Sequence, residues 1–474
     1  MRQQLLRFNW FLVLTTVCGL MLFVGLNGCT QTRLCQVKPS FELPKAFSLK
    51  GDQELPKKWW QSLNDAQLDS VIEESLGNNF TIRSAWDRLT QAEQTAIKAG
   101  ADLYPSVTYR GHAERIRVEG DEDATYTSDY SASLIVGYEV DLWGRIKSAH
   151  QAAILDTEAA QENVSAAAMT LTATISKTWY QLAEAKQKEK IIERQIQTNE
   201  KILEVIRVQF RQAQVAAADV FSQERLVQSS RGQLIRVKEN IAVLQNKLSI
   251  LMGKTPGPWW SDTSIELISL SQLPKIDVPS VVIQRRPDVI RSYKIVQSAD
   301  QLLASAIADQ YPTISLSAGA ETYATRPVDL FDHWLANLAA NLAGPLFDAG
   351  YRKAEVKRRL AIVSERLNDY SQLVLEALRE TEDAISQENY QRLYLESLQK
   401  ELALARDVYD RTYQNYLKGQ LDYLRVLDAV VTMQDLEQNE LTARRVLIER
   451  RIDLCRSIAG GWPLQRPENP KLSK

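Results

Sequence analysis

The amino-acid sequence predicts a mixed, mainly α-helical fold built from two copies of one unit. The copies are related by a spacing of 207 residues (311 − 104). The landmarks that recur are Tyr104-Pro105 as Tyr311-Pro312, Asp141 as Asp348, Arg145 as Arg352, and Gly253 as Gly460. Each copy joins segments of alternating apolar and polar residues to a long segment with the narrow apolar stripe of a coiled coil. Because repeated units bury their apolar faces against their neighbours, we expect a tube that is part sheet and part helix.

The N-terminus has the features of a secretory signal. Arg2 and Arg7 precede an apolar run over residues 11–26, and small residues follow it. The run is shorter than the about 20 apolar residues that a membrane-spanning helix needs. Cys29, which follows a glycine, resembles the cysteine of a bacterial lipobox, whose thiol is acylated and becomes the first residue. We therefore predict a lipoprotein signal peptide over residues 1–28 and lipidation at Cys29; the alternative is a differently processed signal and an ordinary thiol.

Composition argues against several functional classes. The chain has 474 residues, a formal net charge of −2 and a pI near 6.1. It therefore lacks the excess of positive charge that is typical of nucleic-acid-binding proteins. It has only 3 histidines and no Cys-x-x-Cys motif, which leaves little basis for a metal site. We expect no enzymatic activity and no cofactor other than the covalent lipid at Cys29. In an oxidising compartment Cys35 and Cys455 could form a disulfide, a question that the sequence leaves open.

The predicted segments follow the repeat. Residues 29–58, with three prolines, form an extended N-terminal segment. The remaining boundaries are a first repeat over 59–253, a linker or equatorial segment over 254–284, a second repeat over 285–460 and a C-terminal tail over 461–474. A helix over about Phe80 to Ala101 precedes the first strand.

Four amphipathic strands are predicted, in hairpins over about 105–141 and 312–348. Every second residue is apolar over 130–140, 314–320 and 334–342. Segments of this length and pattern suit tilted membrane strands, although a soluble, half-buried sheet would show the same alternation. If the mature chain crosses a membrane, it must do so as a closed barrel, because no later apolar stretch could span it as a helix. Four strands cannot close a barrel, so closure requires several copies of the chain.

The long helical pairs favour the membrane interpretation. They are predicted over about 142–252 and 349–459, and no proline or glycine interrupts the first helix after Gly144 until the pair reverses. Some 69 helical residues would extend about 100 Å, far more than a globular core needs. We therefore expect a hollow cylinder whose strand end lies in a membrane and whose helical end projects away from it.

A candidate constriction lies where the second helical pair reverses. Gly419 interrupts that pair, and Leu424 and Asp428, four residues apart, share one face of the returning helix. In a symmetric tube they would form a ring of leucines that excludes water and a ring of aspartates that attracts cations. The residues alone favour a simpler interpretation, in which Leu424 packs in the helix seam and Asp428 is solvated.

A set of motifs in order resembles the TolC-type outer-membrane efflux channels, and most closely the lipoprotein branch that serves resistance-nodulation-division pumps. The resemblance extends from about Trp59 to Gly460. The motifs that carry it are Trp59-Trp60 with Asp65 and Leu68, Tyr104-Pro105, Asp141-Leu142-Trp143-Gly144-Arg145, Arg285-Arg286-Pro287-Asp288, Tyr311-Pro312, Phe347-Asp348-Ala349-Gly350, and Gly419 with Leu427-Asp428-Ala429.

The resemblance implies a homotrimer in the outer membrane of a Gram-negative bacterium. Its twelve-stranded transmembrane barrel, four strands per chain, would continue into a periplasmic helical barrel with an equatorial domain. Such channels have no catalytic activity, and they dock through their tip onto a periplasmic adaptor tied to an inner-membrane pump. We therefore predict the passive export duct of a tripartite efflux system, opened by dilation of the tip.

The resemblance also assigns roles to residues. Leu424 and Asp428 occupy the positions of the family's innermost leucine and aspartate rings, and Tyr416, Gly419 and Ala213 those of the docking tip. Two departures matter. Asn415 and Val431 stand where the family often has arginines that close the tip, and Ala213 replaces the first turn's glycine. The sequence does not show how a tip without those arginines is held closed.

Two other functions remain possible from the sequence. The same duct could serve a type I secretion system or a metal-ion exporter. A protein of another class, a periplasmic coiled-coil adaptor or scaffold without a pore, would share the coiled coils. Adaptors usually carry one helical hairpin, whereas this chain has two hairpins and four amphipathic strands. The exported substrate and the pump class are not encoded in any recognisable motif.

Overall fold

The structure is a computed structural model that describes residues 41–119, 123–257, 265–270 and 272–466. The lipidation site predicted at Cys29, and Cys35, lie outside these ranges. The described chain forms two compact units. The strand unit takes Thr90–Ala159 and Ser292–Ser371, and the helix unit takes Glu42–Leu89, Ala160–Arg291 and the chain from Gln372 onward. Each unit therefore draws on both sequence repeats.

The secondary structure repeats along the chain. The first repeat contains a short 3-10 helix Trp59–Leu63, α1 Ala66–Asn78, α2 Phe80–Ala101, β1 Ser106–Glu119, β2 Ala124–Val140, α3 Arg145–Arg211 and α4 Ala217–Leu251. The second contains α5 Pro279–Arg285, α6 Pro287–Ala308, β3 Thr313–Ala324, a 3-10 turn Pro327–Asp329, β4 Trp334–Ala343, α7 Tyr351–Leu417 and α8 Tyr423–Ile458. Helices α3 and α7 have 67 residues each, and α2 and α6 have 22 each. The predicted hairpins and helical pairs are thus present in both repeats.

None of the helices in the described ranges is sufficiently long and apolar to cross a membrane.

The repeated aspartates start the two longest helices. The carboxylate of Asp141 accepts hydrogen bonds from the backbone N–H groups of Ile146 and Lys147, at 3.1 and 2.7 Å. Asp348 accepts from the N–H groups of Gly350 and Arg352, at 2.9 and 3.2 Å. A carboxylate at this position satisfies N–H groups that have no partner within the helix and is favoured by the helix dipole. This is why the same motif recurs after both hairpins.

The strands form one antiparallel sheet in the order β1-β2-β3-β4. In its register Leu134 pairs with Tyr109 on one side and Ala320 on the other, and Ala320 pairs with Ala336. Side chains at paired positions lie on the same face of a sheet. The apolar positions of all four strands therefore share one face, which we call the apolar face, and the opposite face carries mainly polar residues.

Ion pairs and amide bonds join helices of the helix unit in the order α4-α3-α8-α7. Arg231 of α4 pairs with Glu200 of α3 at 2.7 Å, and Lys177 of α3 pairs with Asp453 of α8 at 2.6 Å. Helix α8 is joined to α7 through amide bonds such as that from Gln391 Nε2 to the carbonyl of Ala443, at 3.1 Å. The two helical pairs therefore meet largely through α3 and α8, and near their reversing turns α7 also contacts α3 and α8 also contacts α4.

A buried ion pair also joins α7 to α8. The guanidinium of Arg451 contacts both carboxylate oxygens of Glu388 at 2.6–3.0 Å, and neither side chain is more than 4% exposed. Arg451 Nη1 donates to the carbonyl of Gln272 at 3.1 Å. Because each charge would be costly to bury alone, the pair fixes these helices and the linker in one arrangement.

A tryptophan-rich core anchors the start of the helix unit. Trp59 and Trp60 are fully buried, and Trp60 meets Trp462 edge to face at 4.9 Å. Asp65 caps α1 by accepting from the backbone N–H of Leu68 at 3.0 Å. Its second oxygen accepts from Trp179 Nε1 of α3 at 2.9 Å. One carboxylate thus starts a helix and attaches it to the long pairs.

The described residues before this core contain no helix or strand. Over 41–58 the structure contains an isolated bridge between Gln53 and Pro274. Ser48 binds Glu382 of α7 through its N–H and hydroxyl, at 3.0 and 2.6 Å. This segment is therefore held against α7 and the linker.

Cys455 is buried in the core of the helix unit and forms no disulfide within the described residues, and burial raises its pKa to about 12. A pairing with Cys35 falls outside the described residues.

Candidate functional site at the tip of the helical pairs

Both helical pairs reverse through the same turn. In the first, Ala213 N–H donates to Phe210 and Gln214 N–H to Gln209, each at 2.9 Å to the carbonyl oxygen. In the second, the bonds from Gly419 to Tyr416 and from Gln420 to Asn415 are equivalent, at 2.9 and 3.0 Å. This pattern ends a helix on a residue in the left-handed conformation.

Ala213 has a φ of +57° at a position where Gly419 has +73°. An L-residue other than glycine meets steric repulsion there, at a cost of about 1 kcal/mol. The replacement noted in the sequence therefore changes the stability of the first turn and leaves its geometry intact.

Two tyrosines attach the second turn to the first helical pair. The hydroxyl of Tyr416 donates to Gln209 Oε1 of α3, and that of Tyr423 donates to Gln223 Oε1 of α4. Their rings lie 6.1 Å apart, both are largely buried, and burial raises the pKa of each phenol. They belong to an apolar cluster that also contains Ile202, Ile206, Val426 and Val430.

The position of Tyr416 corrects one prediction. Only 6% of Tyr416 is exposed, so it does not form part of a docking surface. Its role in the described structure is internal, since it joins the second turn to α3. The prediction placed it on the surface because a short motif next to a turn does not indicate which side of the helix is covered.

A buried amide network continues these contacts along the pairs. Asn199 of α3 and Gln434 of α8 exchange hydrogen bonds at 3.0 and 3.2 Å, and Asn199 Nδ2 lies 3.3 Å from Ser230 Oγ of α4. Gln195 Nε2 also donates to the carbonyl of Gln434 at 3.2 Å. Neutral hydrogen bonds thus join the two pairs near the tip. At the position where the family often has an arginine, Val431 adds an apolar contact to the tyrosine cluster.

The predicted gate residues Leu424 and Asp428 are both exposed on one face of α8. Leu424 is 62% exposed, whereas the seam against the first pair is formed by Val426 and Val430. The interpretation of Leu424 as a seam residue within the chain is therefore wrong. The two side chains line a groove of about 600 Å³ between α7 and α8, together with Val408.

Sequence reasoning missed Gln209, Gln223, Asn199 and Gln434. No repeat signal points to Gln209, because in the equivalent turns it matches Asn415 and not its partner Tyr416. The remaining amides carry no motif, since glutamine is common on solvated helix faces.

Comparison with known proteins gives the same architecture. The family model described as outer membrane efflux protein matches residues 71–254 and 278–460. The pyoverdine export outer membrane protein OpmQ of Pseudomonas aeruginosa is 26% identical over 428 residues, covering 86% of this chain and 88% of OpmQ. The probable outer membrane lipoprotein SilC of Salmonella typhimurium is 24% identical over 465 residues, covering 92% and 96%.

Solved structures show the same fold. The outer-membrane channel OprN superposes with a TM-score of 0.81 at 23% identity, over 90% of this chain and 100% of OprN. CusC gives a TM-score of 0.80 at 22% identity, over 90% and 98%.

The family match agrees with the repeat seen in the sequence and in the structure. Its two matched segments begin 207 residues apart (278 − 71) and cover the strands and helical pairs of both copies. The similarity therefore extends to the whole duplicated architecture, and the chain is an outer-membrane protein that belongs to the outer membrane efflux protein family.

Proposed function

We propose that three copies of this chain form a passive export duct through the outer membrane, which docks by its helical tip onto a periplasmic adaptor and an inner-membrane pump. The observation that carries the proposal is the single apolar face of the four-stranded sheet. Each of its two outer strands, β1 and β4, pairs with a neighbour on one side only. In this assembly the apolar face contacts lipid and the polar face lines the lumen.

The dimensions of the sheet suit the membrane. The pairing of β2 with β3 covers 11 positions, from Tyr130 to Val140. These positions extend about 33 Å along the strands, or about 25 Å along the membrane normal at a tilt of about 40°. Aromatic residues mark both ends of this band: Tyr130 and Trp334 at the hairpin end, and the stacked rings of Trp143 and Tyr311, 4.8 Å apart, at the helix end. Aromatic girdles at the two interfaces are typical of membrane barrels.

Closure into a ring would use the outer strands of the sheet and the exposed sides of α4 and α7. Within the described chain β1 and β4 each have one neighbouring strand, and α4 and α7 each carry an exposed apolar side. Exposed large apolar residues concentrate on these helices: Ile235, Val243 and Ile250 on α4, and Leu375, Tyr390, Leu393, Tyr394, Leu404 and Val408 on α7. A head-to-tail contact that pairs β4 with β1 of the next copy, and α7 with its α4, would cover both sets. Three copies, the number implied by the family resemblance, give twelve strands.

Opening of the duct requires the second helical pair to move away from the first. In three copies the exposed Leu424 and Asp428 would form the rings that narrow the lumen. Movement breaks the bonds of Tyr416, Tyr423 and the Asn199–Gln434 pair. Each neutral hydrogen bond contributes about 0.5–1.5 kcal/mol, so these bonds resist opening by about 2–6 kcal/mol per chain. Binding of an adaptor could supply that energy.

The proposed docking surface comprises the two turns and the exposed aromatic residues beside the first. Ala213 and Gly419 are the turn residues, and Phe210 and Phe221 are 45% and 67% exposed. We further propose that Cys29 carries the covalent lipid that anchors the N-terminal segment, and that no other cofactor is bound.

Substrate choice is assigned to the pump in this proposal. Relatives are named for the export of pyoverdine, toluene and cations, so the shared architecture does not select one substrate. The relatives do not favour the alternatives of a type I secretion duct or a pore-free adaptor.

The proposal is tested by purifying the full chain and recording single channels in planar bilayers. We expect a trimer with low conductance, and a higher conductance after the double change Leu424→Ala and Asp428→Ser. The change Asp407→Ser, at an exposed residue of α7 that does not line the groove, is the control. A monomer without channels contradicts the duct. A trimer whose conductance is unaffected by the double change removes these two residues from the gate.

A further inference from the structure

The hairpin of β1 and β2 extends beyond the four-stranded part of the sheet. The pairing of β2 with β3 stops at Tyr130 and Ala324, whereas β1 and β2 remain paired to Glu119 and Ala124. The helical pairs follow the opposite end of the strands. If the helices are periplasmic, as the proposed function requires, this extension is at the outer surface of the membrane.

The apolar face changes character at this boundary. In β1 it carries Val107, Tyr109, Gly111 and Ala113, and then Arg115 and Arg117. Arg115 lies over the ring of Tyr126, with its guanidinium carbon 4.9 Å from the ring centroid. Arg117 pairs with Glu119 at 2.8 Å. Two cationic side chains therefore occupy the lipid-contacting face immediately beyond its apolar band.

Other charged residues of this hairpin lie on the opposite face of the sheet from Arg115 and Arg117. Glu114 and Asp129 are paired across the strands, and His112 lies 3.4 Å from Glu114. Arg110 is on this opposite face as well, because even-numbered positions of β1 alternate with the odd-numbered ones. In the proposed barrel these groups face the lumen, so they neither neutralise nor replace Arg115 on the lipid side.

We propose that Arg115 and Arg117 bind the phosphate groups of a phosphorylated glycolipid in the outer leaflet. This inference rests on the proposed function, which sets the orientation of the sheet. Measured from the level of Tyr130, Arg115 lies about 5 Å and Arg117 about 10 Å farther along the membrane normal. The polar headgroup layer is about 5–8 Å thick on each side of the hydrocarbon core, so Arg115 is at phosphate depth.

The side chains have the chemistry that such a ligand needs. A guanidinium binds phosphate through two parallel N–H donors and stays charged at any physiological pH. The contact with Tyr126 restricts Arg115 without using its charge, as expected for a cation lying over an aromatic ring. Arg117 is shared with Glu119, so we assign the larger contribution to Arg115.

The test uses the full-length protein in detergent and bisphosphorylated lipid A as the probe. Binding is measured by native mass spectrometry for the wild type, for Arg115→Gln with Arg117→Gln, and for the matched control Arg110→Gln on the other face of the same strand. We expect the double variant to lose at least about fivefold in affinity, the effect of one arginine near an anionic surface. Arg110→Gln should bind as the wild type does.

Two further arms identify the ligand. Dephosphorylated lipid A should bind the wild type and the double variant equally, because the arginines recognise the phosphates. An excess of inorganic phosphate should not displace lipid A; complete displacement would assign the site to free phosphate and overturn the lipid proposal. An equal loss in Arg110→Gln, or no loss in the double variant, overturns it as well.

Failure of this inference is distinct from failure of the duct. Single-channel conductance is recorded for the same three proteins. Unchanged conductance with weakened lipid binding supports the inference. Unchanged lipid binding in every variant, with normal conductance, rejects the lipid site and leaves the proposed duct intact.

Discussion

The tyrosine contacts at the tip make a quantitative prediction about opening. The double change Tyr416→Phe and Tyr423→Phe keeps both rings in their cluster and removes the two hydroxyl donors to Gln209 and Gln223. Each lost neutral hydrogen bond costs about 0.5–1.5 kcal/mol, and each leaves a glutamine oxygen without its donor. The arrangement that joins the two pairs should therefore be destabilised by about 1–3 kcal/mol per chain.

In a trimer that opens in one concerted step, the three chains contribute together. A total of about 3–9 kcal/mol would raise the ratio of open to closed channels by at least about a hundredfold. Single-channel recording in planar bilayers measures this as an increase in open probability. Thermal unfolding of the same protein should change only by the loss of these hydrogen bonds, because the apolar packing of the rings is preserved.

The matched control is Tyr390→Phe, the same change at an exposed tyrosine of α7. It should leave the open probability at the wild-type value. The reasoning is refuted if the double variant behaves as the wild type does, or if Tyr390→Phe opens the channel to the same extent.

Three further predictions concern the helix unit. Ala213→Gly should stabilise the first turn by about 1 kcal/mol because it relieves the left-handed strain, and Gly419→Ala should destabilise the second turn by a similar amount. Hydrogen exchange should therefore become slower at the first turn and faster at the second. Faster exchange in Ala213→Gly, or slower exchange in Gly419→Ala, would contradict the prediction. Glu388→Ala should destabilise the fold by about 3–5 kcal/mol, because it leaves Arg451 buried without its partner. Thermal unfolding is compared with that of the double variant Glu388→Ala with Arg451→Met, which removes both charges and should lose less stability. An unchanged melting temperature in Glu388→Ala would count against the buried pair. Cys455 should resist maleimide in the native protein at pH 8 and react after denaturation, since burial raises its pKa to about 12; rapid labelling of the native protein would show that the core opens there.

The sequence by itself determined the elements and the faces they present. Alternation over Tyr130 to Val140 fixed which strand residues share a side, since successive side chains of a strand point to opposite faces. The repeat located both hairpins and both helical pairs. The recurring landmarks Asp141 and Asp348 lie just before α3 and α7, because a carboxylate next to the first N–H groups of a helix is a local requirement. These features depend on residues close together in the chain, so a single sequence contains them.

Only the tertiary structure decided which faces meet. It placed Tyr416 inside the tip against Gln209, left Leu424 exposed beside a groove, and put the left-handed residue of the first turn at Ala213. It also left exposed apolar side chains on α4 and α7. The physical reason is that periodicity records which residues share one side of a helix, whereas the partner of that side comes from a segment about 200 residues away. That partner is selected by the packing of whole helices, which no short motif encodes.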